Sequence, residues 1–310
     1  MISEVEYFCT VDSSMQKAMY LKAKGDDPRP LVVSLHTWSG DYTQSCRDAA
    51  EFCAQENWNF IFPDFRGPDW TSDALGSDKV VSDISDAVTF AKESGPVDSD
   101  RVYLIGGSGG GHAALLLAGR RPDLWAAVSA WCPIVDIAAW FRQCDGTRYQ
   151  GYADHIVQAC SGNPSLDPEA AAEAKHRSPL TWLENASGIP VSIASGIHDG
   201  HTGSVPVSHA INGFNVLADD DAVICSEDID FITANQEVPL SLKPDCGNLS
   251  LGTRQIHLLR QSAKVRLMIF EGGHDILTVA GLRWLAAQKR GAVPVWDIFA
   301  DDGSASELGR

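Results

Sequence analysis

Short runs of consecutive apolar residues alternate along this chain with longer amphipathic stretches. Residues 31–35 (LVVSL), 59–62, 102–105 (VYLI), 125–131, 190–195 (PVSIAS) and 265–270 (VRLMIF) are the apolar runs. A strand covered on both faces must read this way, because neither of its sides meets water. Helical periodicity fills the intervals: residues 43–56, residues 78–94 with Val80, Val81, Ile84, Val88, Phe90 and Ala91 on one side, a helix from about Gly111, residues 207–217 and residues 276–289. Strands and helices alternating at this spacing imply βαβ units joined by right-handed crossovers. The expected class is therefore α/β, with a mostly parallel central sheet flanked by helices. Residues 5–11 and 15–23, around a turn at 12–14, read as two antiparallel edge strands.

Two stretches break the rhythm. Residues 133–187 are mostly helical and polar, with Trp140, Tyr149, Tyr152 and Trp182, and are expected to form a helical cap-like excursion over the carboxyl edge of the sheet. Residues 219–260 read as a second irregular insertion, acidic at first, with a short helix near 227–234. The reading is a single domain over 1–310 containing both insertions, with a frayed polar end at 300–310. No internal repeat is visible.

Composition changes this picture little. With 44% hydrophobic residues the chain can bury a sizeable core. Lys and Arg number 24 against 41 Asp and Glu, a formal net charge of −17. That surface repels nucleic acid and anionic membranes, so neither is expected as a partner. The first ten residues, MISEVEYFCT, lack the basic start and apolar run of a signal peptide. A cytoplasmic location is the default, with export left open should a leader have been removed. Eight cysteines (Cys9, Cys46, Cys53, Cys132, Cys144, Cys160, Cys225, Cys246) show no C-x-x-C and no zinc-finger spacing. They read as reduced core thiols, although Cys144 and Cys160 share a polar segment and could pair in an oxidising compartment.

The chemistry gathers at strand ends. Gly106-Gly107-Ser108-Gly109-Gly110 follows the apolar run at 102–105 and precedes an apolar helix. G-x-S-x-G in that context is a nucleophile elbow, in which small neighbours let strand, turn and helix approach closely. A serine hydroxyl needs a histidine base, and the histidine needs an acid to hold its tautomer. Active residues of open α/β sheets lie just past the carboxyl ends of strands. Ser108, Asp199 after PVSIASGI and His274 after VRLMIFEGG occupy such positions, in the chain order Ser…Asp…His of α/β-hydrolases. Asp275 competes as the acid but is adjacent to His274 in sequence. His112 reads as a packed helix residue. His198 and His201 flank Asp199 and resemble metal ligands, but no third ligand clusters with them. No metal or other cofactor is expected. An oxyanion needs two preorganised donors. One is expected from the backbone of Gly109. The other is expected from the loop after residues 31–35, at Thr37 or Trp38. Thr37, Trp70 and Trp140 are candidate substrate contacts.

Gly106–Gly111 with His112, the loop Ile197-His198-Asp199-Gly200 leading to Val205-Pro206, the segment Glu271-Gly272-Gly273-His274-Asp275, and the PDFRG motif at 63–67 together resemble the catalytic domain of prolyl-oligopeptidase-type α/β-hydrolases. The resemblance covers about residues 30–285. It implies an α/β-hydrolase fold and the roles of nucleophile, acid and base for Ser108, Asp199 and His274. His36-Thr37-Trp38 resembles the oxyanion loop of acetyl-xylan-esterase-like relatives, which points to the Trp38 N–H. Peptidases of this branch usually carry a propeller or other large N-terminal domain. Only about 30 residues precede the first buried strand here, so no such domain fits. The expected activity is a serine esterase acting on small or sugar-linked acetyl or feruloyl esters. The alternatives are a short-peptide peptidase, with Glu227, Asp228 and Asp230 as candidate amine-binding acids, and a catalytically inactive binding protein. The expected partner is a small-molecule or saccharide ester; oligomeric state is not legible.

Overall fold

Alternate side chains of a strand point to opposite faces, so an uninterrupted apolar run fills two cores at once. In the computed structural model, which describes residues 1–242 and 249–297, strand β3 (Arg29–Leu35) does this. Its Leu31, Val33 and Leu35 enter one core with Val80, Ile84, Leu115 and Phe214, while Val32 enters the other with Phe60, Tyr103, Met268 and Trp284. Each fully buried side chain of this size stabilises the fold by about 1.5–3 kcal/mol.

Among the described residues, ten strands make one sheet. In chain order they are β1 (Ser3–Phe8), β2 (Met15–Leu21), β3, β4 (Asn59–Pro63), β5 (Val97–Gly107), β6 (Ala127–Trp131), β7 (Val191–Gly196), β8 (Ser250–Leu251), β9 (Arg254–Ser262) and β10 (Val265–Phe270). Their spatial order is β1-β2-β4-β3-β5-β6-β7-β10-β9-β8. The strands from β4 to β10 run parallel, and the antiparallel pairs β1·β2, β2·β4, β9·β10 and β8·β9 lie toward the two edges. The helices are α1 (Arg47–Gln55), α2 (Asp78–Ser94), α3 (Gly109–Arg120), α4 (Ile137–Cys144), α5 (Gln150–Ala159), α6 (Pro168–His176), α7 (Ser208–Leu217), α8 (Ser226–Asn235) and α9 (Thr278–Ala286). This is an α/β-hydrolase fold. α2 starts where Ser77 accepts the Val80 N–H as an N-cap, and α4 starts where Asp136 does the same for Ala139.

The cap stretch folds into α4, α5 and α6. These helices build their own apolar cluster from Ile137, Trp140, Phe141, Ile156 and Ala174, and that cluster takes in Trp38 from the sheet side. Cys144 and Cys160 are buried there as free thiols, and Cys246 lies outside the described residues, as does the end expected to fray. No described helix is long and apolar enough to cross a membrane.

Three expectations about elements need correction. α1 begins at Arg47, not at residue 43, because the Asp41 side chain accepts the Thr43 N–H at 2.7 Å and holds a local turn in its place. α9 begins at Thr278, since Ile276 leaves the helical path to pack on Gly107. The second insertion is not irregular throughout. The helix expected near 227–234 is α8, but residues 254–262 form β9, paired antiparallel with β10. His257 stands on that strand. Only Ile256 and Leu258 of β9 are buried, one in each core, so this sparsely covered strand leaves no continuous apolar run to read.

Candidate active site

The elbow is built by close approach. Ser108 has φ +57° and ψ −122°, a strained conformation held by its N–H donating to Trp131 O at 2.9 Å. A Cβ on Gly106 would run into the Gly110 carbonyl, and one on Gly110 would lie 2.6 Å from the carbonyl oxygens of Leu35 and His36. Glycine at both positions lets the end of β3 and the start of α3 close around the serine. Ser108 itself is 8% exposed.

Asp199 follows β7 and is buried. Its Oδ1 accepts the N–H groups of Gly200 at 3.0 Å and Val205 at 3.2 Å, and its Oδ2 accepts from Nδ1 of His274 at 2.7 Å. Three donors to one carboxylate fix its orientation, and the His274 contact leaves Nε2 as the free ring nitrogen. Asp275 is occupied elsewhere. Its Oδ2 accepts from Arg254 Nη1 and from the Gly273 N–H, both at 2.8 Å, and so braces the loop that carries His274. Ile276 packs against Gly107, which folds that loop back over the elbow. The structure thus brings Ser108, Asp199 and His274 to the same carboxyl edge.

The loop after β3 distinguishes Thr37 from Trp38. The Thr37 N–H donates to Gln44 Oε1 at 2.9 Å. Trp38 N lies 2.5 Å from the point where a Gly109 Cβ would sit, so the two expected oxyanion donors face one another across a gap that only glycine leaves open. Nε2 of His36 donates to Asp64 O at 2.8 Å, and its ring stacks on Phe65 with centroids 3.8 Å apart, which holds the loop down. Burial lowers the His36 pKa.

Side chains of the cap cover Trp38. Its indole meets Trp140 edge-on at 4.7 Å and Tyr152 at 6.1 Å, and its Nε1 donates to Nδ1 of His155 at 3.1 Å. Trp70 lies 4.8 Å from His155 at the rim and is half-buried. Trp140 is 1% exposed and donates to Ser204 O, so it supports this wall from behind and presents no free face to a substrate. Thr37 lines a cavity of about 460 Å³ on the other side of the elbow, with Gln44, Ile105, Gly107 and Ile276.

The histidines beside Asp199 are braces. His198 joins Gln236 Oε1 through Nδ1 and Glu271 Oε1 through Nε2, each at 2.9 Å, and His201 donates to Thr233 O at 2.7 Å. Among the described residues, the one group of three whose ligand atoms converge is Cys132, Asp199 and His274, all within 4.8 Å. Two of these already bond to one another. His112 is packed, with Nε2 donating to Arg177 O at 2.8 Å, and burial pushes its pKa down to about 4. The sequence reading missed Asp69, Cys132 and His155. Cys132 and Asp69 each follow the carboxyl end of a strand, the same signal that singled out Asp199; His155 carries no local signal.

The chain is 24% identical over 206 residues to acylamino-acid-releasing enzyme 1 of Oryza sativa subsp. japonica, across 63% of this chain and 26% of that protein. It is 30% identical over 139 residues to feruloyl esterase B of Thermothelomyces thermophilus, across 41% of this chain and 46% of that one. The matched region thus spans about a quarter to a half of these relatives' lengths. Acylaminoacyl peptidase of Pyrococcus horikoshii superposes with a TM-score of 0.66 at 13% identity, covering 96% of this chain and 43% of that chain, a likeness of fold. The prolyl oligopeptidase family pattern matches residues 45–222, more than half of the sequence, and the chain therefore belongs to the prolyl oligopeptidase family and is a serine hydrolase.

Proposed function

We propose that this chain hydrolyses carboxylic esters of small or sugar-linked alcohols, acetyl or feruloyl esters among them, through an acyl-enzyme on Ser108. Ser108 Oγ attacks the ester carbonyl while Nε2 of His274 takes its proton. Asp199 holds Nδ1–H and stabilises the imidazolium that forms. The tetrahedral oxyanion lies between the N–H groups of Gly109 and Trp38. His274 returns the proton to the leaving alcohol oxygen, and the acyl group stays on Ser108. Water then attacks the acyl carbonyl, His274 accepts its proton, and collapse frees the acid and restores Ser108.

The observation that carries the ester reading is the aromatic wall around the oxyanion loop. Tyr152, His155 and Trp70, partly exposed over the buried Trp38, line the cap side. Flat rings of this kind stack on an aromatic acyl group or the face of a sugar. The relative named feruloyl esterase B fits the same chemistry.

The relatives named as acylamino-acid-releasing enzymes support a second reading, a peptidase acting on short peptides. Two of its three candidate amine-binding acids are badly placed. α8 reaches the Asp199 loop through its C-terminal end, at Thr233 and Gln236, whereas Glu227 and Asp228 stand in its first turn, roughly 9 Å back along the axis.

The test is a panel of p-nitrophenyl esters, methyl ferulate and acetylated xylo-oligomers against acylaminoacyl p-nitroanilides, with Ser108→Ala as control. Ester turnover that vanishes in Ser108→Ala is expected. Strong anilide cleavage with weak ester cleavage would move the assignment to the peptidase.

A further inference from the structure

The loop between β4 and α2 carries an almost fully buried carboxyl group. Asp69 is 2% exposed. Its N–H donates to Trp38 O at 2.9 Å, and its Oδ1 accepts the Leu75 N–H at 2.9 Å. Oδ2 is turned toward the elbow, 2.9 Å from the point where a Gly109 Cβ would sit, the same point that lies 2.5 Å from Trp38 N. The carboxyl and the two backbone donors of the oxyanion hole therefore close on one small volume. Leu75 has φ +45°, a conformation that persists only where its surroundings over-determine it. Asp69 is one restraint. Arg177, at the end of α6, is the other, donating to the carbonyls of Ser72, Ala74 and Leu75 at 2.9, 2.8 and 3.3 Å.

We propose that Asp69 is a positioning residue for the oxyanion hole and that it works as the neutral acid. Its backbone N–H anchors the Trp38 peptide whatever the charge of the side chain, and the protonated carboxyl leaves the field at the Gly109 and Trp38 N–H groups free for the developing oxyanion. Ionised, it sets a negative charge beside that oxyanion, which opposes the transition state. The inference rests on the Ser108 mechanism above. The groups around the carboxyl suit the neutral form. Burial pushes its pKa up to about 7, while the Leu75 N–H and the Arg177 guanidinium pull in the other direction. Arg177 is the charged group that faces it from the cap. Gly109 from the elbow helix and Trp38 from the oxyanion loop are uncharged. Burial lowers the pKa of His112 in the elbow helix and of His155 in the cap, which keeps both neutral. A rise in pH through neutrality then deprotonates Asp69 and slows acylation.

The experiment is the pH profile of kcat between pH 5 and 9 on a neutral ester such as p-nitrophenyl acetate, for wild type and for Asp69→Asn. A fluorophosphonate labelling control at pH 6 checks Ser108 separately. Asn keeps the acceptor for the Leu75 N–H and cannot ionise. Wild type should show an alkaline limb on which kcat falls by about tenfold or more, whereas Asp69→Asn should hold a plateau over the same range. A folded Asp69→Asn protein with the wild-type limb overturns the proposal. If that variant does not fold, wild type alone decides: a kcat that stays level up to pH 9 overturns it. Ser108 labelling without any limb rejects the role of Asp69 and leaves the mechanism standing. No labelling rejects both.

Discussion

Gly109→Ala tests the oxyanion hole directly. The added Cβ would lie 2.5 Å from Trp38 N and 2.6 Å from Trp38 Cα, whereas ordinary contact begins at 3.4 Å. Neither side yields easily. α3 is held by the contact of Gly110 with the Leu35 and His36 carbonyls, and the Trp38 peptide is held by the Asp69 N–H. The two backbones must still separate by about 0.8 Å to relieve the overlap. A donor that starts near 2.9 Å from the oxyanion and retreats by that much no longer makes a hydrogen bond. Loss of one such donor lowers kcat by about 10²–10³, or roughly 3–4 kcal/mol of transition-state stabilisation. Folding should change less. Alanine is favoured over glycine in a helix by up to about 1 kcal/mol, which offsets part of the about 1–3 kcal/mol of overpacking. The assay is kcat and KM on p-nitrophenyl acetate beside a thermal melt. A large fall in kcat with a small change in KM and a Tm within a few degrees of wild type is expected. A folded Gly109→Ala protein with kcat within threefold of wild type would refute the placement of the oxyanion between Gly109 and Trp38.

Three further outcomes follow from the same geometry. Asp199→Asn keeps an oxygen for the Gly200 and Val205 N–H groups, so the fold should survive while kcat drops by about 10³–10⁴, because His274 loses the partner that fixes its tautomer; steady-state kinetics and circular dichroism separate the two effects. Arg177→Met leaves the carbonyls of Ser72, Ala74 and Leu75 without their buried donor and should cost about 3 kcal/mol in urea unfolding, with a measured loss under 1 kcal/mol counting against this bridge between cap and sheet. Burial holds His112 and His209 at about 4, below the unfolded value near 6.5, so the folded state refuses protons that the unfolded state accepts; stability is full above about pH 6.5 and falls on acidification toward pH 4, by up to about 1.4 kcal/mol per pH unit for each group, and His209→Gln should remove one group's share of that slope.

How much was legible in advance can be argued residue by residue. α2 was readable to its ends because Ser77 and the apolar positions Val80, Val81, Ile84 and Val88 are local signals. β9 was not, because only two of its nine residues are buried, one in each core, and they do not make a pattern. The same contrast runs through the site. Ser108 announces itself, since a strained turn between strand and helix demands glycines at fixed offsets. Thr37 and Trp38 are neighbours with the same backbone chemistry. Gln44, seven residues on, is what occupies one N–H and leaves the other to face Gly109.

The sequence by itself determined the α/β class, the succession of the central strands along the chain and the three strand ends that carry Ser108, Asp199 and His274, because periodicity, glycine spacing and strand-end position are properties of short segments. Tertiary structure alone decided what surrounds them. Asp275 is drawn off by Arg254, His198 by Glu271, and Trp140 is buried behind Trp38. Asp69 meets Gly109 across 40 residues of chain, a contact that its place after a strand does not specify. Contacts between distant segments depend on how the sheet, the cap and the loops pack against one another, and no short stretch of sequence holds that information.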